Sequence, residues 1–268
     1  MVRRELLTSR TEAQQAIAAG LVTVDGAPAT KSATQVHAGQ AIVVAAPPRP
    51  YVSRGGEKLA HALERFHVDP TGRRCLDAGV STGGFTDCLL QRGAGHVLAF
   101  DVGYGQVHEK IRQDARATVR ERTNVRELTP ADLPPPLPDL LVADLSFISL
   151  ASVLPVLWRL LAPPAEGVVL VKPQFEAERD QVGKGGVVRD PAVWGQCLRR
   201  VAEAARSLGW ERLDVTASPL LGPAGNVEFL MHLQTAESGA VPPVADALDE
   251  VVAGAVDEGR RRREAGRA

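Results

Sequence analysis

The stretch CLDAGVSTGGFTD at residues 75–87 places three glycines between an apolar run and a run with helical character. Turns of this kind bind nucleoside triphosphates, dinucleotides or S-adenosylmethionine, because glycine lets the backbone approach a ligand closely. A triphosphate loop needs a lysine and a hydroxyl after its last glycine, and neither this turn nor QVGKGG at residues 181–186 supplies both. A dinucleotide site needs Gly-x-Gly-x-x-Gly, whereas Gly79 is followed by three other residues before Gly83-Gly84.

An acid follows the turn at the distance that a ribose-binding residue requires. Asp101 closes the next apolar run, HVLAFD, and a carboxylate there can accept hydrogen bonds from both ribose hydroxyls of an adenosine. A glycine turn and an acid without a pyrophosphate-binding pattern favour S-adenosylmethionine as the cofactor. The alternative is that these glycines only form a tight strand-to-helix turn.

The elements around the turn alternate between strand and helix patterns. Strands are predicted in RCLDA, HVLAFDV, ATVRER, DLLVADL and GVVLVK, with helices in GFTDCLLQRG, SLASVLPVLWRLL and residues 191–208. This alternation predicts an α/β domain with a parallel sheet and helices on both faces. The last two strands, ERLDVTASP and NVEFLMHL, are joined by a loop too short for a crossover helix, so this pair is predicted to be antiparallel. A C-terminal helix is predicted to end in RRRREAGRA, whose arginine run is interpreted as a frayed, solvated tail.

The first fifty residues are predicted to form a separate small unit. A capping-box pattern, Ser9-x-x-Glu12, precedes a helix that stops at Gly20; an alternating pattern through Val22 and Val24 then leads into the Asp25-Gly26 turn, and QAIVVAA supplies another short strand. A proline-rich connector follows. The predicted organisation is a small domain at residues 1–46, a linker at 47–52, a large domain at 53–240, and a C-terminal helix with its tail at 241–268.

Composition limits the class of protein. The chain has 268 residues, a formal net charge of −1 and 44% hydrophobic residues, as expected of a globular protein without a global basic footprint. Its three cysteines are far apart and form no Cys-x-x-Cys pair, which argues against a disulfide framework and a zinc site. No run of about 18 apolar residues or signal-peptide pattern is present, so we expect a cytoplasmic protein without a membrane span or a metal.

Longer motifs resemble one known family. DAGVSTGGFTDCLL, DVGYGQ, ERTNVR, VADLSFISL, VKPQFE, GGVVRDP and GPAGNVEFL occur in the order found in the TlyA family of haemolysin-like ribosomal RNA methyltransferases, over about residues 9–233. The resemblance implies a Rossmann-like, FtsJ-related methyltransferase domain with a mainly parallel seven-stranded sheet, and an N-terminal RNA-binding domain of the ribosomal protein S4 type. It also implies S-adenosylmethionine as cofactor, cytidine ribose 2′-hydroxyls as methyl acceptors, and ribosomal RNA within ribosomal subunits as partner.

Site residues follow from the same resemblance. The Lys-Asp-Lys-Glu catalytic set of FtsJ-like enzymes matches Lys58, Asp144, Lys172 and Glu228. The cofactor residues are predicted to be Asp77, Gly79, Ser81, Thr82, Gly83, Gly84, Phe85, Asp101, Val102, Asn124 and Asp144. RNA contacts are predicted at Arg3, Arg4, Arg10, Lys31 and Arg54.

Methylation of a ribose hydroxyl explains why such a catalytic set is needed. The hydroxyl is a poor nucleophile until it loses its proton, so the protein must supply a base within hydrogen-bond reach. Lys172 is the residue we expect to accept or steer the proton; nearby Lys58 would favour its neutral form and Asp144 would oppose it. Asp144 and Glu228 are expected to orient the lysines and the ribose. Two alternatives remain open here, a membrane-active haemolysin and a catalytically inactive RNA-binding assembly factor.

Overall fold

The chain divides into two compact units in a computed structural model, residues 1–49 and residues 50–268. The structure describes residues 1, 4, 6, 7, 10–45, 50–235 and 245–266. Ser9 of the predicted capping box, Arg3 and residues 46–49 of the connector region lie outside the described residues.

The small unit consists of one helix and a three-stranded sheet. Helix α1 spans Arg10–Ala18, and strands β1, β2 and β3 span Val22–Val24, Ala27–Pro28 and Ile42–Val44 in the order β2-β1-β3. The predicted turn is present, with Asp25 and Gly26 both at positive φ. The Asp25 carboxylate accepts hydrogen bonds from the Ala41 backbone N–H at 2.8 Å and from the Gln40 amide at 2.9 Å, which fixes the turn against the segment before β3.

The large unit is built on a seven-stranded sheet with the order β6-β5-β4-β7-β8-β10-β9. The strands are β4 (Arg74–Ala78), β5 (His96–Phe100), β6 (Ala117–Arg120), β7 (Leu140–Ala143), β8 (Glu166–Val171), β9 (Trp210–Ala217) and β10 (Phe229–Thr235). Pairs among β4 to β8 are parallel, whereas β10 is antiparallel to both β8 and β9. The predicted parallel sheet and its antiparallel final pair are therefore confirmed.

Helices cover both faces of this sheet. They are α2 (Arg54–Phe66), α3 (Gly84–Gln91), α4 (Glu109–Arg112), α5 (Leu150–Arg159), α6 (Pro173–Glu176), α7 (Pro191–Arg206) and α8 (Ala245–Ala265). Short 3₁₀ turns occur at Val125–Glu127, Pro130–Asp132 and Arg179–Gln181. Each face of the sheet contributes to its own buried apolar cluster, because the strands alternate their side chains between the faces. Burial on both faces explains why GVVLV in β8 is wholly apolar.

Two local predictions differ from the structure. The arginine run Arg260–Arg263 is not a frayed tail but forms the last turns of α8, which continues to Ala265. The end of the predicted linker packs on the large unit, since the Val52 backbone N–H donates to Asp87 and the Pro50 carbonyl accepts from Gln91. The three cysteines are separately buried and free. Among the described helices, none is long and apolar enough to cross a bilayer.

Candidate active site

A cleft of about 450 Å³ opens at the carboxyl ends of the parallel strands, where loops following β4, β5, β6 and β7 converge. The strand order reverses between β4 and β7, and open α/β sheets bind ligands at such a switch point. Its volume lies in the range of cofactor pockets. The lining residues are Gly79, Ser81, Phe100, Asp101, Val102, Gly103, Gln106, Thr123, Asn124, Val125, Arg126, Asp144, Leu145, Ser146, Phe147, Ile148 and Val153.

Two glycines of the turn are required by close backbone packing. Gly79 has φ +92°, and a Cβ there would lie 2.6 Å from the Asp144 carbonyl oxygen. Gly83, at φ +98°, begins α3, and a Cβ would lie 2.8 Å from Ile111. Both conformations disfavour residues with a side chain. Gly79 therefore lets the β4–α3 turn lie directly beside the end of β7, and Gly83 leaves room for the side chain of Ile111 on α4.

Asp101 holds the glycine turn and borders the cleft. Its Oδ2 accepts a hydrogen bond from the Ser81 backbone N–H at 2.7 Å, and its Oδ1 accepts one from the Gly103 N–H at 2.7 Å. Each carboxylate oxygen can accept a second bond, so the group keeps acceptor capacity toward a ligand in the cleft. An acid beside an apolar wall that includes Phe100 and Ile148 fits the ribose and adenine parts of S-adenosylmethionine.

Asp77 differs from its predicted place among the cofactor contacts, because it is wholly buried and lines neither the cleft nor the smaller cavity described below. One carboxylate oxygen accepts a 2.6 Å hydrogen bond from the Thr86 hydroxyl of α3, and the other has no partner among the described residues. Burial raises the pKa of Asp77 to about 7, and the nearby acids Asp144 and Asp101 add to this rise. The side chain thus positions the turn through α3.

Most of the other predicted cofactor residues line one of two cavities, whereas Gly83 lines neither. Val102 and Asn124 border the large cleft; the Asn124 side chain also accepts a 3.1 Å hydrogen bond from the Arg126 backbone N–H. A second cavity of about 90 Å³ adjoins the turn on the side of α2. It is lined by Ser53, Gly55, Lys58, Gly79, Val80, Ser81, Thr82, Gly84, Phe85 and Asp144. The two cavities share Gly79, Ser81 and Asp144, so they are contiguous.

The four predicted catalytic residues form two ion pairs. Lys58 lies on α2, and its Nζ is 2.5 Å from Glu228 Oε2; both side chains are almost fully buried. Lys172 Nζ lies 2.6 Å from Asp144 Oδ1 without hydrogen-bond geometry, and donates to the Ser146 hydroxyl at 2.8 Å. We expected Lys58 to influence Lys172 as a neighbouring cation; instead each lysine faces a carboxylate.

Sheet register and the small cavity bring the two pairs to one place. Phe229 lies opposite Val171 in the β10–β8 pair, so Glu228 and Lys172 extend these strands at the same edge. Lys58 and Asp144 both line the small cavity. Gly222 packs against the Glu228 carboxylate, because a Cβ there would lie 2.6 Å from Glu228 Oε1. A hydroxyl entering this cavity would meet lysine and carboxylate groups beside the large cleft.

The sequence analysis missed the loop between β7 and α5. Phe147 is 91% exposed at the rim of the cleft, at φ +65°, with its ring centroid 5.2 Å from that of Phe175. Buried Glu176 clamps the loop, since its carboxylate accepts hydrogen bonds from the Ser149 hydroxyl at 2.7 Å and the Leu150 N–H at 2.5 Å. Burial raises the pKa of Glu176. Both residues lie in quoted motifs, which was the only signal that could have identified them.

The predicted RNA contacts are placed differently from one another. Arg4 donates to the carbonyl oxygens of His37, Ala38 and Gln40 at 2.7–3.0 Å, so its guanidinium holds the small unit together. Lys31 is exposed, whereas the side chain of Arg10 lies outside the described part. In the large unit, Arg54 is exposed at the start of α2 and donates to the Leu221 carbonyl at 2.5 Å.

The fold and this site define a methyltransferase class that the comparisons with known proteins also identify. The FtsJ-like methyltransferase model matches residues 51–235, and the S4 domain model matches residues 1–42. The chain belongs to the FtsJ-like methyltransferase family.

Within that family, the similarity to particular proteins spans nearly the whole chain. The 16S/23S rRNA (cytidine-2′-O)-methyltransferase TlyA of Mycobacterium tuberculosis is 51% identical over 97% of this chain and 96% of its own. Hemolysin A of Brachyspira hyodysenteriae is 39% identical over 84% of this chain and 93% of its own. A solved structure from Streptococcus thermophilus, also named for haemolysin, is 38% identical with a TM-score of 0.73, covering 97% and 94% of the two chains. These similarities confirm the resemblance to the TlyA family.

Proposed function

We propose that this protein transfers a methyl group from S-adenosylmethionine to the ribose 2′-hydroxyl of cytidines in ribosomal RNA within ribosomal subunits. The observation that carries the proposal is that Lys58 and Asp144 line a small cavity beside the larger cleft, Lys58 paired with Glu228 and Asp144 with Lys172. The activity printed for the Mycobacterium tuberculosis relative supports the choice of acceptor. Such a role would place the protein in the cytoplasm, where ribosomal subunits are assembled.

The large cleft would hold the cofactor. Gly79 and Ser81 would lie beside its methionine part, and Asp101 would accept hydrogen bonds from its ribose hydroxyls. Val102 and Asn124 line the same cleft. When bound, the cofactor supplies a methyl group already activated by a sulfonium. The protein therefore has to orient the acceptor hydroxyl and remove its proton.

Lys172 and Asp144 would perform that second task together. Lys172 donates to Ser146 and faces Asp144, so in this arrangement it is an ammonium donor rather than a base. A ribose hydroxyl that displaces the Ser146 contact would transfer its proton to the Asp144 carboxylate, while the Lys172 ammonium would stabilise the negative charge that develops on the ribose oxygen. Lys58, fixed by Glu228, would hold the sugar from the other side of the small cavity.

The test is transfer of labelled methyl groups to isolated small subunits, large subunits and free ribosomal RNA. Native protein is expected to label at least one of these acceptors, and Lys58→Ala is expected to lose the transfer while retaining cofactor binding. Lys110→Ala is a matched control, because Lys110 pairs with Asp87 at 2.7 Å without lining either cavity. Cofactor binding with no transfer to any of the three acceptors would contradict the proposal and favour an RNA-binding assembly factor. Lysis of lipid vesicles by native protein without nucleotide would instead favour a haemolysin.

A further inference from the structure

The C-terminal end of α8 concentrates positive charge on a fixed element. Arg260, Arg261 and Arg262 are exposed, and we call these three residues the arginine end of α8. The fourth arginine, Arg263, donates to the Arg189 carbonyl at 2.7 Å and lies 6.0 Å from the Trp194 ring centroid. Arg263 thus anchors the last turns, while the other three point their charge outward.

Close packing fixes the course of this helix. Glu258 accepts hydrogen bonds from the Thr216 hydroxyl at 2.8 Å and the Ala217 N–H at 3.0 Å, at the end of β9. A Cβ on Gly259 would lie 2.9 Å from Val227, and one on Gly266 would lie 2.9 Å from Leu221. The helix therefore ends directly against the loop that joins β9 to β10.

That loop leads into the catalytic centre. It contains Leu221, whose carbonyl accepts from Arg54 at the start of α2, and it ends at Glu228, the partner of Lys58. Arg262 also lies near α2, since its charge, together with burial, lowers the pKa of His61. His61 lies one turn after Lys58 on that helix. The arginine end of α8 consequently lies at the same edge of the sheet as the catalytic pairs.

Few acids neutralise this charge. Asp257 lies 4.0 Å from Arg260 in an exposed ion pair, and Glu264 is exposed. The Glu258 carboxylate accepts hydrogen bonds from β9 instead. Arg261 and Arg262 form no ion pair with any residue in the described part of the chain. Arginines in the last turn of a helix also stabilise it through a favourable interaction with the helix dipole. A test of binding therefore has to distinguish this stabilising role from contact with a ligand.

We propose that the arginine end of α8 is a second docking surface for RNA, which binds backbone phosphates of the strand that leads into the catalytic cavity. The proposal rests on the proposed function, since it takes RNA as the substrate. Guanidinium groups bind phosphates through paired N–H donors, and such contacts position a strand without reading its sequence. The surface would hold the acceptor strand beside Lys58 while the chemistry takes place at Lys172.

The experiment measures binding of full-length protein to isolated ribosomal subunits across a salt series, without methyl transfer. Arg261→Gln with Arg262→Gln removes two charges of the surface. Arg159→Gln with Arg206→Gln is the matched control, because these arginines occupy the last turns of α5 and α7, at the opposite edge of the sheet. Arg261→Lys with Arg262→Lys keeps the charge. Unfolding curves followed by circular dichroism show whether any variant loses α8.

For Arg261→Gln with Arg262→Gln, the slope of log affinity against log salt concentration should decrease in magnitude by about 1.4 to 1.8. Affinity near physiological salt should be about 10-fold weaker. The control pair and the lysine pair should retain the native slope, and cofactor affinity should be unchanged in all variants. Equal slopes for the two glutamine pairs would overturn the proposal. It would also be overturned if the glutamine pair at α8 lost binding to phosphatidylglycerol vesicles while its slope with ribosomal subunits stayed native. A changed RNA slope in a protein that methylates no acceptor would leave the surface in place and refute the proposed function.

Discussion

Replacing Asp101 tests the cofactor site most directly at the level of one side chain. Its two carboxylate oxygens each accept a 2.7 Å bond from a backbone N–H, from Ser81 and from Gly103. Asp101→Ala removes both bonds and the acceptors offered to the ligand ribose. Hydrogen bonds to charged groups contribute about 1.5 to 3 kcal/mol each, so losing one such bond to the ligand should weaken S-adenosylmethionine binding by about 1.5 to 3 kcal/mol, or about 10- to 150-fold.

The assay is titration calorimetry with S-adenosylmethionine on native and variant protein. Asp114→Ala serves as the control, since Asp114 also accepts from a backbone N–H, that of Arg116 at 2.9 Å, but does not line the cleft. The variant should remain folded, with a lower free energy of unfolding because the turn loses two bonds. Unchanged cofactor affinity in Asp101→Ala would refute the ribose-binding assignment and leave Asp101 as a residue that only fixes the turn.

Three further predictions follow from the same geometry. Lys172→Ala should lower turnover about 100-fold or more with cofactor affinity nearly intact, because it removes the cation beside the acceptor hydroxyl; single-turnover kinetics test this, and near-native turnover would exclude Lys172 from the mechanism. Since the pKa of Asp77 is raised to about 7, the folded protein retains a proton that the unfolded chain loses near pH 4. Stability should therefore fall by up to about 4 kcal/mol as pH rises from about 4 to 7, and urea unfolding of Asp77→Asn should lack this part of the slope; parallel pH profiles would contradict it. Deleting residues 1–46, or combining Arg10→Glu with Lys31→Glu, should preserve cofactor binding and reduce methylation of subunits increasingly at high salt, and full methylation by the truncated protein at every salt concentration would place recognition in the large unit.

Local patterns were sufficient to predict the frame of the site. Strands that are buried on both faces tend to appear as apolar runs, so β5, β7 and β8 could be located from their sequence pattern and from their alternation with helices. Asp144 and Lys172 follow two of these runs directly, and parallel strands end at one edge of a sheet. Their proximity was therefore predictable from sequence, although the direct ion pair between them was not.

Features that depend on distant contacts were not predictable. Lys58 and Glu228 are 170 residues apart, and their pairing depends on how α2 packs against the start of β10. Asp77 carries the same side chain as Asp101, yet one is wholly buried and the other borders the cleft, which only the packing of α3 decides. The arginine run was misinterpreted because its helical state depends on packing against β9 and the β9–β10 loop.

The central claim is that the four residues around the small cavity direct the methyl group to a ribose oxygen. Nucleoside analysis by mass spectrometry, after reaction of native protein with ribosomal subunits and labelled S-adenosylmethionine, tests this claim most directly. The label should appear in 2′-O-methylcytidine, and Lys172→Ala should produce little or none while Lys110→Ala produces the native amount. Label on a base, or native amounts of product from Lys172→Ala, would contradict it.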